Sequence, residues 1–152
     1  IGKVTMIYFG YTHCPDVCPL VMSRYTNIAE ELGAEMDNVR MLFITTDPER
    51  DTVETLKEYV ARYSSKIIAL TGTREELEEV WRAYKVAINI EKLSENNYGA
   101  GHEDHDHRHD YLVGHFSLVI VANKDHVVKF ALTPEMDPDE YIRGVKFILN
   151  SA

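Results

Sequence analysis

Positive charge is scarce in this chain. Its 152 residues include 16 Lys and Arg against 25 Asp and Glu, which gives a formal net charge of -9. A protein that follows the phosphates of DNA or RNA needs a basic face to offset their charge. The composition therefore excludes nucleic acid from the expected partners.

Long apolar runs are also lacking, since no stretch approaches the ~20 residues that a bilayer-spanning helix needs. The length is that of one ordinary domain, 1–152, which buries enough surface to fold without disulfides. The first residue is Ile1 rather than Met, and a strand-like run begins almost at once, at Val4. We therefore expect a fragment of a longer protein.

Cysteine is rare too: the chain has two, Cys14 and Cys18, four positions apart. They lie in the run Tyr11-Thr12-His13-Cys14-Pro15-Asp16-Val17-Cys18-Pro19, where a proline follows each of them directly. Because a domain of this length needs no disulfide to fold, the pair indicates either a metal chelate or a redox couple.

Short apolar runs alternate with helical patterns along the chain. Such alternation predicts a mainly parallel sheet with flanking helices. The expected strands are Val4–Phe9, Val39–Thr45, Lys66–Leu70, Val86–Ile90, Phe116–Val121 and His126–Leu132. The last two flank the turn-forming Asn123-Lys124-Asp125, which predicts a closing hairpin.

Capping patterns mark the helices. We expect helix starts at Asp51/Glu54, Thr73/Glu76 and Asp137/Glu140, and an earlier helix from Pro19 to a glycine cap at Gly33. A strand, a cysteine loop and a helix at the front, with a hairpin and a helix at the back, is the order of a thioredoxin-like α/β fold.

The proline after the second cysteine shapes the prediction for the loop. Pro19 cannot donate a backbone hydrogen bond, so we expect an irregular turn from Cys14 to Cys18 and a helix that starts near Pro19. The positive end of that helix favours thiolates. Two thiolates completed by an imidazole suit Cu(I) and can also hold Cu(II) or zinc. A structural zinc site normally has four protein ligands, which favours an open site for a metal that is released.

Three segments are distinctive in sequence. They are the cysteine run from Phe9 to Pro19, the stretch Asp47-Pro48-Glu49-Arg50-Asp51-Thr52, and the stretch Asp110-Tyr111-Leu112-Val113-Gly114-His115. All three resemble the SCO/SenC family, copper proteins of cytochrome c oxidase assembly. The resemblance implies a thioredoxin-like fold in which Cys14, Cys18 and His115 bind one copper ion, as Cu(I), Cu(II) or both. The chain departs from the family at Gly114-His115-Phe116, where Asp-His-Ser or Asp-His-Thr is usual.

The resemblance also implies a function. We expect a copper metallochaperone, rather than an enzyme, that helps to assemble the dinuclear copper site of cytochrome c oxidase. Its expected partners are the copper-bearing subunit of the oxidase and another copper carrier. The resemblance further implies that a membrane anchor and the first strands precede Ile1. We therefore expect a monomer, anchored at the extracytoplasmic (periplasmic) face of the bacterial inner membrane rather than in a mitochondrion.

Two alternatives stay open. Cys14 and Cys18 alone would serve a thiol-disulfide oxidoreductase that reduces the cysteines of the oxidase copper subunit. A peroxidase on the same scaffold would need a proline and a threonine at set spacing before its reactive cysteine, and no proline lies between Ile1 and Cys14. His115 discriminates the first alternative, because a pure dithiol reductant has no use for a third ligand.

Seven histidines is a high count for this length. The polar stretch 93–110 is expected to be a long loop. Its histidines lie among carboxylates, and we expect them to form either an accessory metal site that collects copper or a merely solvated segment. They are His102, His105, His107 and His109. We expect His13 and His126 at the surface.

Overall fold

The computed structural model of the chain describes residues 2–92, 111–115 and 117–151, with the backbone alone for residues 90–92, 111, 112 and 115. The predicted His-rich loop 93–110 lies outside the described residues. No helix in the described ranges combines the length and the hydrophobicity that a membrane span requires.

A five-stranded sheet forms the centre of the molecule. Its order is β3-β2-β1-β6-β7, with β1 parallel to β2, β2 parallel to β3, and β6 and β7 added as an antiparallel hairpin. The bounds are β1 Val4–Gly10, β2 Val39–Thr45, β3 Ile67–Leu70, β6 Val119–Ala122 and β7 Val128–Leu132. This arrangement confirms the predicted α/β fold with a C-terminal hairpin.

Two further strands pair outside this sheet. They are β4 Ile88–Lys92 and β5 Tyr111–His115, which run antiparallel as a separate two-stranded sheet. The sequence did not predict β5 as a strand, because its residues read as the end of a polar loop. This pairing fixes the backbone of His115 opposite Ile88.

Within the described residues, four α-helices cover the two faces of the central sheet. They are α1 Val17–Leu32, α2 Val53–Ala61, α3 Arg74–Ala83 and α4 Pro138–Asn150, and a 3-10 helix Gly33–Asn38 follows α1. Alternate residues of β1 point to opposite faces. Tyr8 belongs to the larger core, with α1, α2 and α4, whereas Phe9 packs in a smaller core with Trp81 of α3.

The first helix starts two residues earlier than predicted. Val17 is its first residue, so Cys18 lies in the first turn and Pro19 is the third helical residue. The first four backbone N–H groups of a helix have no intrahelical acceptor, so a proline there removes nothing. The expected cap at Gly33 is present, with a positive φ of 49° and a backbone N–H that donates to the carbonyl of Ala29.

Other boundaries also differ from prediction, and two of them have a clear local cause. The N-cap of α2 is Thr52, whose side chain accepts from the backbone N–H of Thr55, and not Asp51. Strand β4 begins at Ile88 instead of Val86, because a positive φ at Lys85 closes the end of α3 before the chain extends. The capping boxes at Thr73 and Asp137 are confirmed.

Candidate metal centre

The two cysteines lie where the central strand β1 gives way to α1. The backbone N–H of Cys14 donates to the carbonyl of Tyr11 at 3.3 Å and closes a turn between strand and helix. Cys14 is half-buried, whereas Cys18 in the first turn of α1 is fully buried. The pair thus combines a partly exposed cysteine with a fully buried one.

The surroundings of the two thiols differ in a way that separates their pKa values. Hydrogen bonding from the Cys18 thiol lowers the pKa of Cys14 to about 5, helped by the backbone N–H groups of Asp16, Val17 and Cys18. The same bond, together with burial, raises the pKa of Cys18. At neutral pH the pair therefore holds one thiolate, on Cys14, and one proton, on Cys18.

A buried tyrosine touches the second cysteine. The hydroxyl of Tyr8 donates a hydrogen bond to Cys18 Sγ at 3.4 Å, and the Tyr8 side chain is fully buried. Burial raises the pKa of Tyr8, so its hydroxyl keeps its proton and remains a donor. This contact is not predicted from the sequence, in which Tyr8 is one residue of a largely apolar strand.

The backbone of His115 passes close to the cysteine loop. Two residues before it, the backbone of Val113 hydrogen-bonds to Tyr11. Two residues after it, Ser117 hydrogen-bonds to Tyr8, which also contacts Cys18. The segment that carries His115 is thus hydrogen-bonded to the cysteine loop on one side and to strand β1 on the other, although the His115 side chain lies outside what the structure describes.

Of the other histidines, two lie in the described part of the chain and four lie outside it. The side chain of His13 is 52% exposed, with its Nδ1 3.0 Å from the hydroxyl of Thr12, and His126 is exposed in the hairpin turn, as predicted. The four histidines of the proposed accessory site, His102, His105, His107 and His109, lie outside the described residues.

The donor chemistry of the described pair fits a soft cation. Across residues 2–92, 111–115 and 117–151, no three described His, Cys, Asp or Glu side chains converge on one point. Cys14 and Cys18 therefore supply two donors, one already deprotonated, in a partly open position. Soft thiolate ligands of this kind select Cu(I), zinc or iron-sulfur clusters over hard cations such as Mg²⁺.

The turn after β2 contacts the cysteine loop. Asp47 is buried and its carboxylate accepts a hydrogen bond from Nε of Arg50. The guanidinium of Arg50 lies over the ring of Tyr11, 5.7 Å from its centroid. Asp47, which follows the end of β2, is thus linked to the cysteine loop through Arg50.

Gly114 is the clearest departure from the family pattern next to a candidate ligand. A Cβ at this position would lie 3.5 Å from the carbonyl oxygen of Asn89, an ordinary van der Waals distance, and its φ is not in the left-handed region. The backbone therefore does not require glycine, and a Cβ fits here at ordinary contact distances.

The difference between the two thiols gives a first testable prediction. We expect iodoacetamide to modify Cys14 of the metal-free, reduced protein much faster than Cys18, because Cys14 is accessible and thiolate is the reactive form. The rate should reach half its maximum near pH 5, well below the value for an ordinary thiol. Peptide mass mapping after short exposures at several pH values measures both. Equal labelling of the two cysteines, or half-maximal reaction at the pH of an ordinary thiol, would contradict the assignment.

The chain is similar to known proteins over most of its length. The family model described as SCO1/SenC matches residues 1–150. Among curated proteins, the human "Protein SCO1 homolog, mitochondrial" is 39% identical over 127 residues, covering 82% of this chain and 38% of that protein. The SCO2-like protein RP587 of Rickettsia prowazekii is 36% identical over 124 residues, covering 82% of this chain and 55% of that protein. The chain thus spans between about two fifths and just over half of these relatives.

Solved structures agree with the fold. ScoI of Bradyrhizobium japonicum with copper bound has a TM-score of 0.79 at 30% identity, covering 97% of this chain and 85% of that one. Yeast Sco1 with copper bound has a TM-score of 0.80 at 27% identity, covering 100% and 78%. The central sheet is therefore the thioredoxin-like core that the sequence predicts, and the chain belongs to the SCO1/SenC family.

Proposed function

We propose that this chain is a copper metallochaperone that binds one copper ion through Cys14, Cys18 and His115. In this proposal it delivers the ion to the copper-bearing subunit of cytochrome c oxidase, where a dinuclear copper site is assembled. The ion is cargo, held only until a partner takes it. Two solved structures of similar proteins, from Bradyrhizobium japonicum and yeast, carry bound copper, which supports copper as the cargo.

The observation that carries the proposal is the paired thiols at the start of α1. Cys14 offers a thiolate at a partly open position, and Cys18 offers a second sulfur that is buried and hydrogen-bonded to Tyr8. The residues on either side of His115 hydrogen-bond beside the pair, Val113 to Tyr11 of the loop and Ser117 to Tyr8 of β1. Two soft sulfurs and an imidazole make a donor set that suits Cu(I) and also accepts Cu(II).

Transfer follows from the unequal exposure of the donors. Cys14, the accessible sulfur, exchanges first with an incoming thiolate of the partner, and Cys18, which solvent does not reach, exchanges last. Each exchange replaces one copper–sulfur bond by another, so the ion never becomes free. The reverse order describes loading from another copper carrier.

The protonation of the pair allows a direct test. Copper binds thiolates, so the protons held by its ligands are released on binding. Because Cys14 is deprotonated at pH 7 and Cys18 is not, we expect one Cu(I) per chain and release of about one proton per copper. Anaerobic titration with a pH indicator dye measures both quantities.

The pH dependence supplies the control. Below the pKa of Cys14 both sulfurs carry protons, and an ordinary imidazole such as that of the proposed ligand His115 is protonated as well, so at pH 4 proton release should rise to about three per copper. Release of two protons already at pH 7 would contradict the thiolate assignment. Failure of the reduced protein to bind Cu(I) at all would overturn the proposed function.

The same thiol asymmetry favours one second candidate, a thiol-disulfide oxidoreductase. The Cys14 thiolate would attack one sulfur of a disulfide in the oxidase copper subunit, and the S–S electron pair would leave on the other sulfur. Cys18 would then give its proton to that leaving thiolate and attack Cys14. The products are a Cys14–Cys18 disulfide and a partner reduced by two electrons, and an external dithiol must reduce the chain before a further turn.

We further propose that the protein acts at the extracytoplasmic face of a bacterial inner membrane. The mitochondrial SCO homologues among its relatives support an energy-converting membrane, and the Rickettsia relatives support a bacterial one. Separation of inner-membrane and soluble fractions, combined with protease access from the periplasmic side, tests this location.

A further inference from the structure

Asp51 is a buried carboxylate that the proposed function does not use. It ends the Asp47–Asp51 turn after β2, and its side chain is fully buried. It does not cap α2, because Thr52 does so. Burial of a carboxylate costs free energy that hydrogen bonds must offset, so the contacts of this side chain indicate its role.

Those contacts connect two parts of the chain that are far apart in sequence. The carboxylate of Asp51 accepts the backbone N–H of Thr12 at 3.1 Å and also its hydroxyl, and it accepts the hydroxyl of Thr45 at 2.7 Å. Thr45 is the last residue of β2, an inner strand of the sheet. Thr12 lies in the cysteine loop, two residues before Cys14. Asp51 therefore fastens the loop to the sheet.

Thr12, the residue that Asp51 binds, lies within the turn Tyr11–Cys14, which we call the cysteine turn. The turn opens at Tyr11, whose carbonyl accepts the N–H of Cys14, and Thr12 is its second residue. Arg50, the neighbour of Asp51, lies over the ring of Tyr11. The first two residues of the turn are thus each held by one side chain of the segment Arg50-Asp51, and this sets the direction in which the chain reaches Cys14.

The position of Cys14 depends on that direction. Its sulfur accepts hydrogen bonds from the backbone N–H groups of Asp16 and Val17 at the start of α1 and from the thiol of Cys18. Such bonds weaken steeply when the distance or the angle changes. A turn that rotates about Tyr11 moves Cys14 away from these donors and from the second sulfur.

We propose that Asp51 is a positioning residue for the metal-binding pair: its carboxylate locks the Thr12 corner of the cysteine turn, so that Cys14 lies ready beside Cys18 before any ion arrives. The part of the test that measures Cu(I) affinity rests on the proposed function. The part that measures the reactivity of the Cys14 thiol does not depend on copper.

The test compares Asp51→Asn with a control at the next residue, Thr52→Ala. The asparagine side chain keeps the size of the aspartate but loses the charge and one acceptor oxygen. We expect a loss of Cu(I) affinity of about 10–100-fold, as for other residues that orient a metal ligand, and an upward shift in the pH at which iodoacetamide modifies Cys14 of the metal-free protein. Thr52→Ala removes the N-cap of α2 without touching Thr12, so it should lower Tm by about 2–4 °C and leave both readouts unchanged.

The outcomes separate the inference from the proposed function. If wild type binds Cu(I) and Asp51→Asn matches it in affinity and in the Cys14 pH profile, the inference is wrong. It is also wrong if Thr52→Ala shifts the profile as much, since general loss of stability would then suffice. If wild type binds no copper, the proposed function fails, and the Cys14 profile alone decides the inference.

A second variant guards against an Asp51→Asn protein that does not fold. Thr12→Val removes one of the hydroxyl donors to Asp51 at a partly exposed position and keeps the backbone N–H. It should change both readouts in the same direction by a smaller amount. Where Asp51→Asn folds, the double variant should lose less than the sum of the two single losses, because the two residues share one interaction. Full additivity, or a silent Thr12→Val, would count against the lock.

Discussion

Replacement of His115 by alanine is expected to lower the affinity for copper by more than ~100-fold, because loss of a residue that merely orients a ligand already costs about 10–100-fold. Fold and stability should change little. His115 lies in β5, whose backbone pairs with β4 from Tyr111 to His115, and these backbone bonds do not depend on the side chain. The effect should therefore appear in binding and not in unfolding.

The measurement is a competitive Cu(I) titration against a chromophoric chelator, with Cu(II) spectra recorded beside it. His126→Asn is the matched control: it removes an exposed histidine of the hairpin turn, and asparagine tolerates the positive φ of 63° found there. We expect the control to bind as wild type does. A His115→Ala protein with unaltered copper affinity and spectrum would refute the three-ligand site.

The same variant separates the two candidate functions. A dithiol reductant needs Cys14 and Cys18 only, so His115→Ala should reduce a disulfide-bonded peptide of the oxidase copper subunit as fast as wild type while it loses copper. Parallel loss of both activities would mean that His115 positions the thiols as well. Retained copper delivery in cells together with lost affinity in vitro would contradict the chaperone proposal.

Much of the site was predictable from sequence because it is local. The cysteine pair, the helix that follows it and the strand that precedes it lie within one continuous segment, and the scarcity of cysteine draws attention to Cys14 and Cys18. The start of α1 was misjudged by two residues. Pro19 disfavours only the interior of a helix, and sequence alone does not show in which turn a proline will lie.

The rest of the site depends on contacts between distant segments. Asp51 and Thr52 are both good N-cap residues, and the choice between them is made by Thr12, 39 residues before Asp51. The contact of Tyr8 with Cys18 likewise follows from how α1 packs on β1. Local propensity does not encode either choice, because the competing arrangements differ only in tertiary hydrogen bonds. The buried role of Asp51 therefore emerged only from the folded chain.

The backbone at Gly10 is packed closely against side chains next to the cysteine pair. Substitution of this glycine is therefore expected to have a large effect on stability. Gly10 is the last residue of β1 and is buried directly below the cysteine turn. A Cβ there would lie 2.8 Å from Cε1 of Tyr8, 2.9 Å from Cε2 of Phe43 and 3.0 Å from Sγ of Cys18. The two ring atoms belong to fully buried side chains, so neither ring moves aside without disturbing the core.

We expect Gly10→Ala to lower the free energy of unfolding by about 1–3 kcal/mol, the usual cost of one extra methyl group in a well-packed core. Gly114→Ala is the control, because its Cβ meets only ordinary contacts, and the change should stay within about 0.5 kcal/mol. Urea unfolding of both variants measures the difference. Because the new methyl group also presses on Cys18, Gly10→Ala should weaken copper binding even where the protein is folded. A Gly10→Ala protein as stable as wild type would mean that the Tyr8 and Phe43 rings are free to shift. The conclusion that Cys18 is closely packed against Gly10 would then be wrong.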